Sequence, residues 1–131
     1  MHRENRPLHV LAVDDEPIIL LGTISMLESL GCRVTSASCG QSALAALTAD
    51  PSIAAIVTDQ TMPGLSGLEL IGAAQQLHRP LAFVLTTGHI DLAPGPAAAW
   101  THIVKPFSCE ELAVALDAAM DAAHPALDIN R

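Results

Sequence analysis

The sequence predicts an α/β domain built on a parallel sheet, and three observations predict it. Short apolar runs of strand type alternate along the chain with longer segments of helical periodicity. The runs are apolar almost throughout, as strands covered on both faces should be. Four of them end in residues that carry chemistry: His9–Val13 in Asp14-Asp15, Ile56–Thr58 in Asp59, Ala82–Leu85 in Thr86-Thr87-Gly88, and His102–Val104 in Lys105-Pro106. Parallel neighbours would gather these groups at one edge of the sheet, where open α/β folds carry their sites.

Each element has its own signal. The first strand is read from about Leu8 to Val13. A helix follows from about Pro17 to Leu30, with proline near its first turn, where a missing N–H costs little. Gly31 is its stop. Arg33 to Ala37 reads as a short second strand. Ser38-Cys39-Gly40-Gln41 has the form of a capping box and opens a helix through Ala49, which Asp50-Pro51 ends. Ile53 to Thr58 is the third strand. A helix from about Gly67 to Leu77 places Leu70, Ala74 and Leu77 on one face. Leu81 to Thr86 is the fourth strand. Asp91-Leu92-Ala93-Pro94-Gly95-Pro96 is hostile to helix, so a fourth helix must be short, over about Pro96 to Trp100. His102 to Val104 is the fifth strand. Ser108-Cys109-Glu110-Glu111 is a second capping box, leading into Leu112, Leu116 and Ala119 at helical spacing. The residues from about His124 read as a frayed tail.

Composition bounds the function. The chain has 131 residues, half of them apolar and 15% charged, enough for one domain with a core. We therefore expect a single domain over 1–131, with its core at about 8–123. The formal charge of −8 argues against nucleic acid or an anionic membrane as partner. No apolar run approaches the roughly 20 residues that span a bilayer, and the first residues lack the apolar stretch of a signal peptide. A cytoplasmic location is expected. Cys32, Cys39 and Cys109 form no Cys-x-x-Cys pair, so neither a disulfide framework nor a zinc site is expected. The six histidines have no ligand spacing.

Asp14, Asp15 and Asp59, brought to one edge, would be like charges that disfavour one another's ionised forms unless a cation offsets them. Mg²⁺ suits such oxygen ligands and commonly bridges to phosphate. One Asp could then act as nucleophile toward a phosphoryl group, with Lys105 neutralising charge and the Thr87 hydroxyl donating to an oxygen. Taken singly, these motifs have plainer readings: Asp14-Asp15 as a helix N-cap cluster, Asp59 as a turn residue, Lys105-Pro106 as an ordinary loop.

Together they resemble a known family. Val13-Asp14-Asp15-Glu16, Thr58-Asp59-x-x-Met62-Pro63-x-x-x-Gly67, Thr87-Gly88 and Lys105-Pro106-Phe107, each at the end of an apolar run, resemble the response-regulator receiver domain of two-component signalling, over roughly residues 8 to 123. The resemblance implies a flavodoxin-like, doubly wound, five-stranded parallel sheet in order 2-1-3-4-5 with five helices, here with the fourth short or irregular. It implies that Asp59 is the phosphoacceptor. Asp15 and Asp14 would serve Mg²⁺, Asp14 through water, with the Thr61 carbonyl as a further ligand. Thr87 would follow the phosphoryl group and Lys105 pair with it, and the Lys105–Pro106 bond would be cis. Implied partners are a sensor histidine kinase or histidine phosphotransfer protein, and a downstream protein target.

Two departures stand out. The position three residues before the lysine, commonly Tyr or Phe in the family, is His102. It is either a switch residue, with pH sensitivity added, or a half-exposed residue of an edge strand. The interval from Thr87 to Lys105 is short and carries Pro94-Gly95-Pro96, which puts in doubt the dimerisation and output face that the fourth helix commonly forms. That stretch is similar to receivers of hybrid histidine kinases and to some stand-alone regulators. Thr61 and His89 occupy positions that in the family influence hydrolysis of the acyl phosphate; His89 is otherwise a solvated loop residue. In the first helix, Leu20, Ile24 and Leu27 form a stripe for the core. Ile19, Met26 and Leu30 form a second, which either docks the phosphodonor or is buried with the rest. The starting Met and the lack of a linker favour a free-standing protein. The resemblance implies a signalling module rather than an enzyme. The rivals are an Asp-nucleophile phosphatase, for which Asp14 and Glu16 have the usual spacing, and a receiver that acts as a scaffold without phosphorylation.

Overall fold

A computed structural model describes residues 7–88 and 100–123. Strands β1 (His9–Val13), β2 (Arg33–Ala37), β3 (Ala55–Asp59), β4 (Ala82–Thr87) and β5 (Thr101–Val104) form one sheet in the order β2-β1-β3-β4-β5. All four neighbouring pairs are parallel. The described helices are α1 (Pro17–Ser29), α2 (Gly40–Ala49), α3 (Gly67–Gln75) and α4 (Cys109–Ala123). This is the doubly wound, flavodoxin-like order expected from the sequence. The short helix expected over about Pro96 to Trp100 lies, but for Trp100, outside the described residues.

Strand alternation sorts the core into two layers. Leu11, Val13, Ile56, Phe83 and Leu85 point to one side, where Ala43 and Leu47 of α2 and Leu70, Ile71 and Ala74 of α3 cover them. Val10, Ala12, Ala55, Val57, Ala82 and Val84 point to the other, against Leu27 of α1 and Leu112, Leu116, Ala119 and Met120 of α4. The strands β1, β3 and β4 are buried along their whole length, which is why they read as continuous apolar runs. β5, at the sheet margin, is half-buried throughout.

Several boundaries shift by a residue or two, and two shifts have visible causes. β3 begins at Ala55 rather than Ile53, because the Ile53 carbonyl accepts from the Arg79 guanidinium at 3.0 Å. The same guanidinium donates to the carbonyls of Leu47 at 2.6 Å and Asp50 at 3.2 Å, closing the end of α2 onto the start of β3. The capping box expected at Ser38 does not form. Cys39 is extended (φ −154°, ψ 165°) and is itself the N-cap, its sulfur accepting from the Ser42 N–H. The helix starts at Gly40, which lies so close to Leu65 that an added Cβ would sit 2.6 Å from the Leu65 Cβ. The capping box at Ser108 and Glu111 is present, and an unexpected one joins Ser66 and Glu69. Gly31 ends α1 at φ 89°, as expected of a glycine stop.

In α1, Leu27 is buried and Leu20 and Ile24 pack on the core. The second stripe is corrected by the structure: Ile19 and Met26 are half-buried, and only Leu30 is open. The apolar surplus lies on Ile18, 82% exposed, and Leu21, 66% exposed. No helix among the described residues is long and apolar enough to cross a membrane.

Candidate functional site

The carboxyl ends of the strands bring the predicted residues together. Asp14 follows β1 directly, its N–H donating to the Ala37 carbonyl of β2 at 3.3 Å. Asp59 is the last residue of β3 and still pairs with Thr86 of β4. Lys105 follows β5, and its N–H donates to the Thr87 carbonyl at 2.6 Å. Carboxylate oxygens of Asp14, Asp15 and Asp59 all lie within 4.8 Å of one another, the one such cluster found among the described residues. Asp14 and Asp59 are buried, and Asp15 is the most open of the three. Three hard oxygen donors converging on one point suit a divalent cation of the Mg²⁺ kind.

Lys105 reaches back over the cluster. Its Nζ lies 3.0 Å from Asp59 Oδ1 and 3.3 Å from Asp14 Oδ2. Asp14 Oδ1 accepts the Glu16 N–H at 3.0 Å, which fixes the turn into α1. Burial pushes the Asp59 carboxyl above its ordinary range, and the Asp14 charge adds to this; the Lys105 ammonium and the Thr61 N–H oppose it. Burial works against the Lys105 charge as well, but the bonds and charges of Asp59 and Asp14 outweigh it and hold the ammonium above its usual range. The Lys105–Pro106 bond is cis.

Thr87 and His102 meet on one face of the sheet. His102 pairs with Leu85 in the register, so Thr87, two residues further, shares its side. The Thr87 Oγ1 lies 2.7 Å from His102 Nε2. The Trp100 ring stands edge-on to His102, at 87° and 6.4 Å between centroids. Thr61 is exposed, and its backbone N–H bonds to the Asp59 carboxylate. His89 lies outside the described residues.

The sequence reading missed Gln60. Its N–H donates to the Thr86 carbonyl at 3.0 Å, its carbonyl accepts from Gly67 at 3.0 Å, and its side-chain Oε1 accepts the Leu68 N–H at 2.8 Å. One residue thus joins the Asp59 turn to β4 and to the first turn of α3. Gly67 is required here: a Cβ would run into the Asp59 carbonyl oxygen and come within 2.7 Å of Leu85 Cδ1. Beside the rim, Ile19, Gly22, Thr23 and Met26 of α1 face Lys105, Pro106 and Phe107 across an apolar depression of about 210 Å³.

Sheet order and rim chemistry define a receiver-type α/β domain, and comparison with known proteins agrees. The family model for the response regulator receiver domain matches residues 10–117. The transcriptional regulatory protein FixJ of Bradyrhizobium diazoefficiens is 30% identical over 122 residues, covering 90% of this chain and 59% of that protein. A receiver domain protein from Clostridium thermocellum superposes with a TM-score of 0.77 at 30% identity, over 87% of this chain and 94% of that one. A receiver protein from Sinorhizobium medicae gives 0.79 at 27% identity, over 91% and 98%. The chain belongs to the response regulator receiver domain family of two-component systems. It spans little more than half of FixJ, whose name carries a transcriptional role.

Proposed function

We propose that this chain is a phosphoacceptor that takes a phosphoryl group onto Asp59 from a phosphohistidine of a sensor histidine kinase or histidine phosphotransfer protein. A carboxylate oxygen of Asp59 attacks phosphorus. The P–N bond of the donor breaks, its electron pair leaves with the imidazole, and an acyl phosphate results. Lys105 then pairs with a phosphoryl oxygen, and the Thr87 hydroxyl donates to another. Asp14, Asp15, Asp59 and the Thr61 carbonyl would hold Mg²⁺, whose chemistry is to neutralise charge on the transferring oxygens. The observation that carries this reading is the convergence itself: three carboxylates within 4.8 Å, with the Lys105 ammonium 3.0 Å from Asp59.

The donor is proposed to dock on the exposed Ile18 and Leu21 and in the depression between α1 and the loop after β5, next to the rim. A downstream protein then reads the changed surface near β5. Such a relay belongs in the cytoplasm. The net charge of −8 speaks against direct nucleic-acid or membrane binding by these residues. The phosphatase alternative is the weaker, because Glu16 is exposed and outside the carboxylate cluster. A scaffold without phosphorylation has no use for the buried Asp59–Lys105 pair.

The test is intact mass after treatment with a small phosphodonor and Mg²⁺. We expect one phosphoryl group per chain, none in Asp59→Asn, and no sustained turnover of a generic phosphate ester. Turnover, or uptake that survives Asp59→Asn, would refute the proposal.

A further inference from the structure

The loop between β3 and α3 carries Thr61, whose carbonyl is the one proposed cation ligand that belongs to the backbone. Hydrogen bonds hold both ends of this loop: Gln60 is tied to β4 and α3, and Ser66 caps α3. Between those ends the Thr61 N–H bonds to the Asp59 carboxylate. Residues 61–65 make no backbone-to-backbone hydrogen bond among the described residues. Apolar contacts hold the stretch instead. Met62 is buried in the core layer under α2 and α3. Leu65 follows the turn at Gly64 (φ 78°), packs on the same layer and lies against Gly40.

Gly40 is the first residue of α2. A Cβ there would sit 2.6 Å from Leu65 Cβ, 2.9 Å from its Cδ2 and 3.2 Å from its Cγ. A new rotamer of Leu65 could move the last two atoms, but its Cβ moves only with the backbone. One of the two backbones must therefore yield if position 40 gains a side chain. The start of α2 is the stiffer. The Ala43 N–H donates to the Cys39 carbonyl at 3.0 Å, the Cys39 sulfur caps Ser42, and Ala43 and Leu47 are fully buried. The loop is what yields, by about 1 Å before the carbons reach ordinary contact.

We propose that Gly40 is a positioning residue for the cation: by letting Leu65 lie directly on the start of α2, it fixes the loop that presents the Thr61 carbonyl and so sets which divalent ion the rim prefers. This deepens the proposed function and rests on it. Mg²⁺ demands near-ideal octahedral geometry at about 2.0–2.1 Å, whereas Ca²⁺ accepts irregular oxygen sets at about 2.3–2.6 Å. A displaced carbonyl is therefore costly for Mg²⁺ and nearly neutral for Ca²⁺. Asp14 and Asp59 stay where β1 and β3 place them, so the charge of the site does not change. Helix propensity alone would favour alanine over glycine at this position, and only the contact with Leu65 opposes it.

Separate titrations with Mg²⁺ and Ca²⁺, followed by amide NMR, test the inference. In Gly40→Ala the Mg²⁺ affinity should fall about tenfold, the low end of what partners behind a metal's ligands carry. The Ca²⁺ affinity should fall about twofold or less, so the ratio of the two drops. Gly72→Ala, where a Cβ meets nothing within 4 Å, should leave both affinities unchanged. Leu65→Gly, which removes the brace from the other side, should lower the same ratio, and in that background Gly40→Ala should add no further loss. Beryllofluoride, a mimic of the phosphoryl group, should need correspondingly more Mg²⁺ to bind Gly40→Ala. If Gly40→Ala does not fold, Leu65→Gly carries the test alone. An unchanged ratio in either single variant, or a Gly40→Ala loss that persists in full beside Leu65→Gly, would overturn the inference while the phosphoacceptor reading stands. If the parent itself binds neither ion, both fall.

Discussion

Replacing Lys105 by Met keeps most of the apolar stem of the side chain and removes the one ammonium that the site holds. Its Nζ lies 3.0 Å from Asp59 Oδ1 and 3.3 Å from Asp14 Oδ2, and the three side chains are 18%, 7% and 5% exposed. Removing one partner of a buried ion pair costs about 3–5 kcal/mol, because the remaining charge stays desolvated. The ammonium is partly open to water, so we expect about 2–4 kcal/mol near neutral pH without divalent cations. The pH dependence follows from the sign of the shift. The folded-state pKa of Asp59 is already above its unfolded value, so folding favours the protonated carboxyl. Without Lys105 it rises further. The penalty is then largest above the folded pKa and fades as pH falls through it, since protonation removes the repulsion from Asp14. Urea unfolding followed by Trp100 fluorescence, with and without millimolar Mg²⁺, measures the effect. We expect the cation to restore much of the lost stability by taking over the charge that the ammonium offset. A variant as stable as the parent at neutral pH without Mg²⁺, or a loss that Mg²⁺ leaves untouched, would refute the reasoning.

Gly67→Ala should cost about 1–3 kcal/mol through overpacking and should weaken beryllofluoride binding, because the new methyl meets the Asp59 backbone, Leu85 and Gln60; equal stability and binding would contradict the contact. Leu21→Asp should slow transfer from a phosphorylated histidine phosphotransfer protein at least about tenfold. It should leave uptake from a small phosphodonor and the unfolding midpoint unchanged, as Leu21 is 66% exposed. Slowing of both reactions would remove the docking role. His9 is buried between Ser52 Oγ at 2.8 Å and Thr35 Oγ1 at 2.7 Å. Burial, and then Arg33, hold its pKa below the ordinary 6.5, against the pull of Asp50. Its contribution is therefore complete above 6.5 and is lost as pH falls below that value toward the folded pKa. The unfolding free energy should decline with acid more steeply in the parent than in His9→Gln, and parallel curves would show that His9 does not titrate in this way.

The rim was legible because each of its residues ends an apolar run. A carboxylate, threonine or lysine in that place breaks the pattern that the strand itself sets, so Asp14, Asp59, Thr87 and Lys105 announce themselves. Their convergence followed from the order of parallel strands, not from any local signal. What stayed hidden depends on contacts between distant segments. Arg79 precedes a proline in a polar stretch and has no periodicity, yet it binds three carbonyls of another connection. Gln60 reads as one more polar turn residue, since nothing local marks the Leu68 N–H as its partner. The surplus on α1 was visible as a wide apolar arc. Which side chains it leaves in water depends on how the helix is rotated against β2 and α4. The placement of His102 came from its distance to Lys105, but its bond to Thr87 needed the register of β4 and β5.

The sheet order has a consequence for how news of an event at the rim could leave the molecule. Among the described residues, the central strands are locked by backbone ladders on both flanks, whereas β5 has a ladder on one flank only. Amide protons on its outer flank should trade with deuterium sooner than those of β1 or β3. A small displacement there disturbs half as many rungs as it would in the middle. The message can thus be written on the margin while the rest of the page stays still.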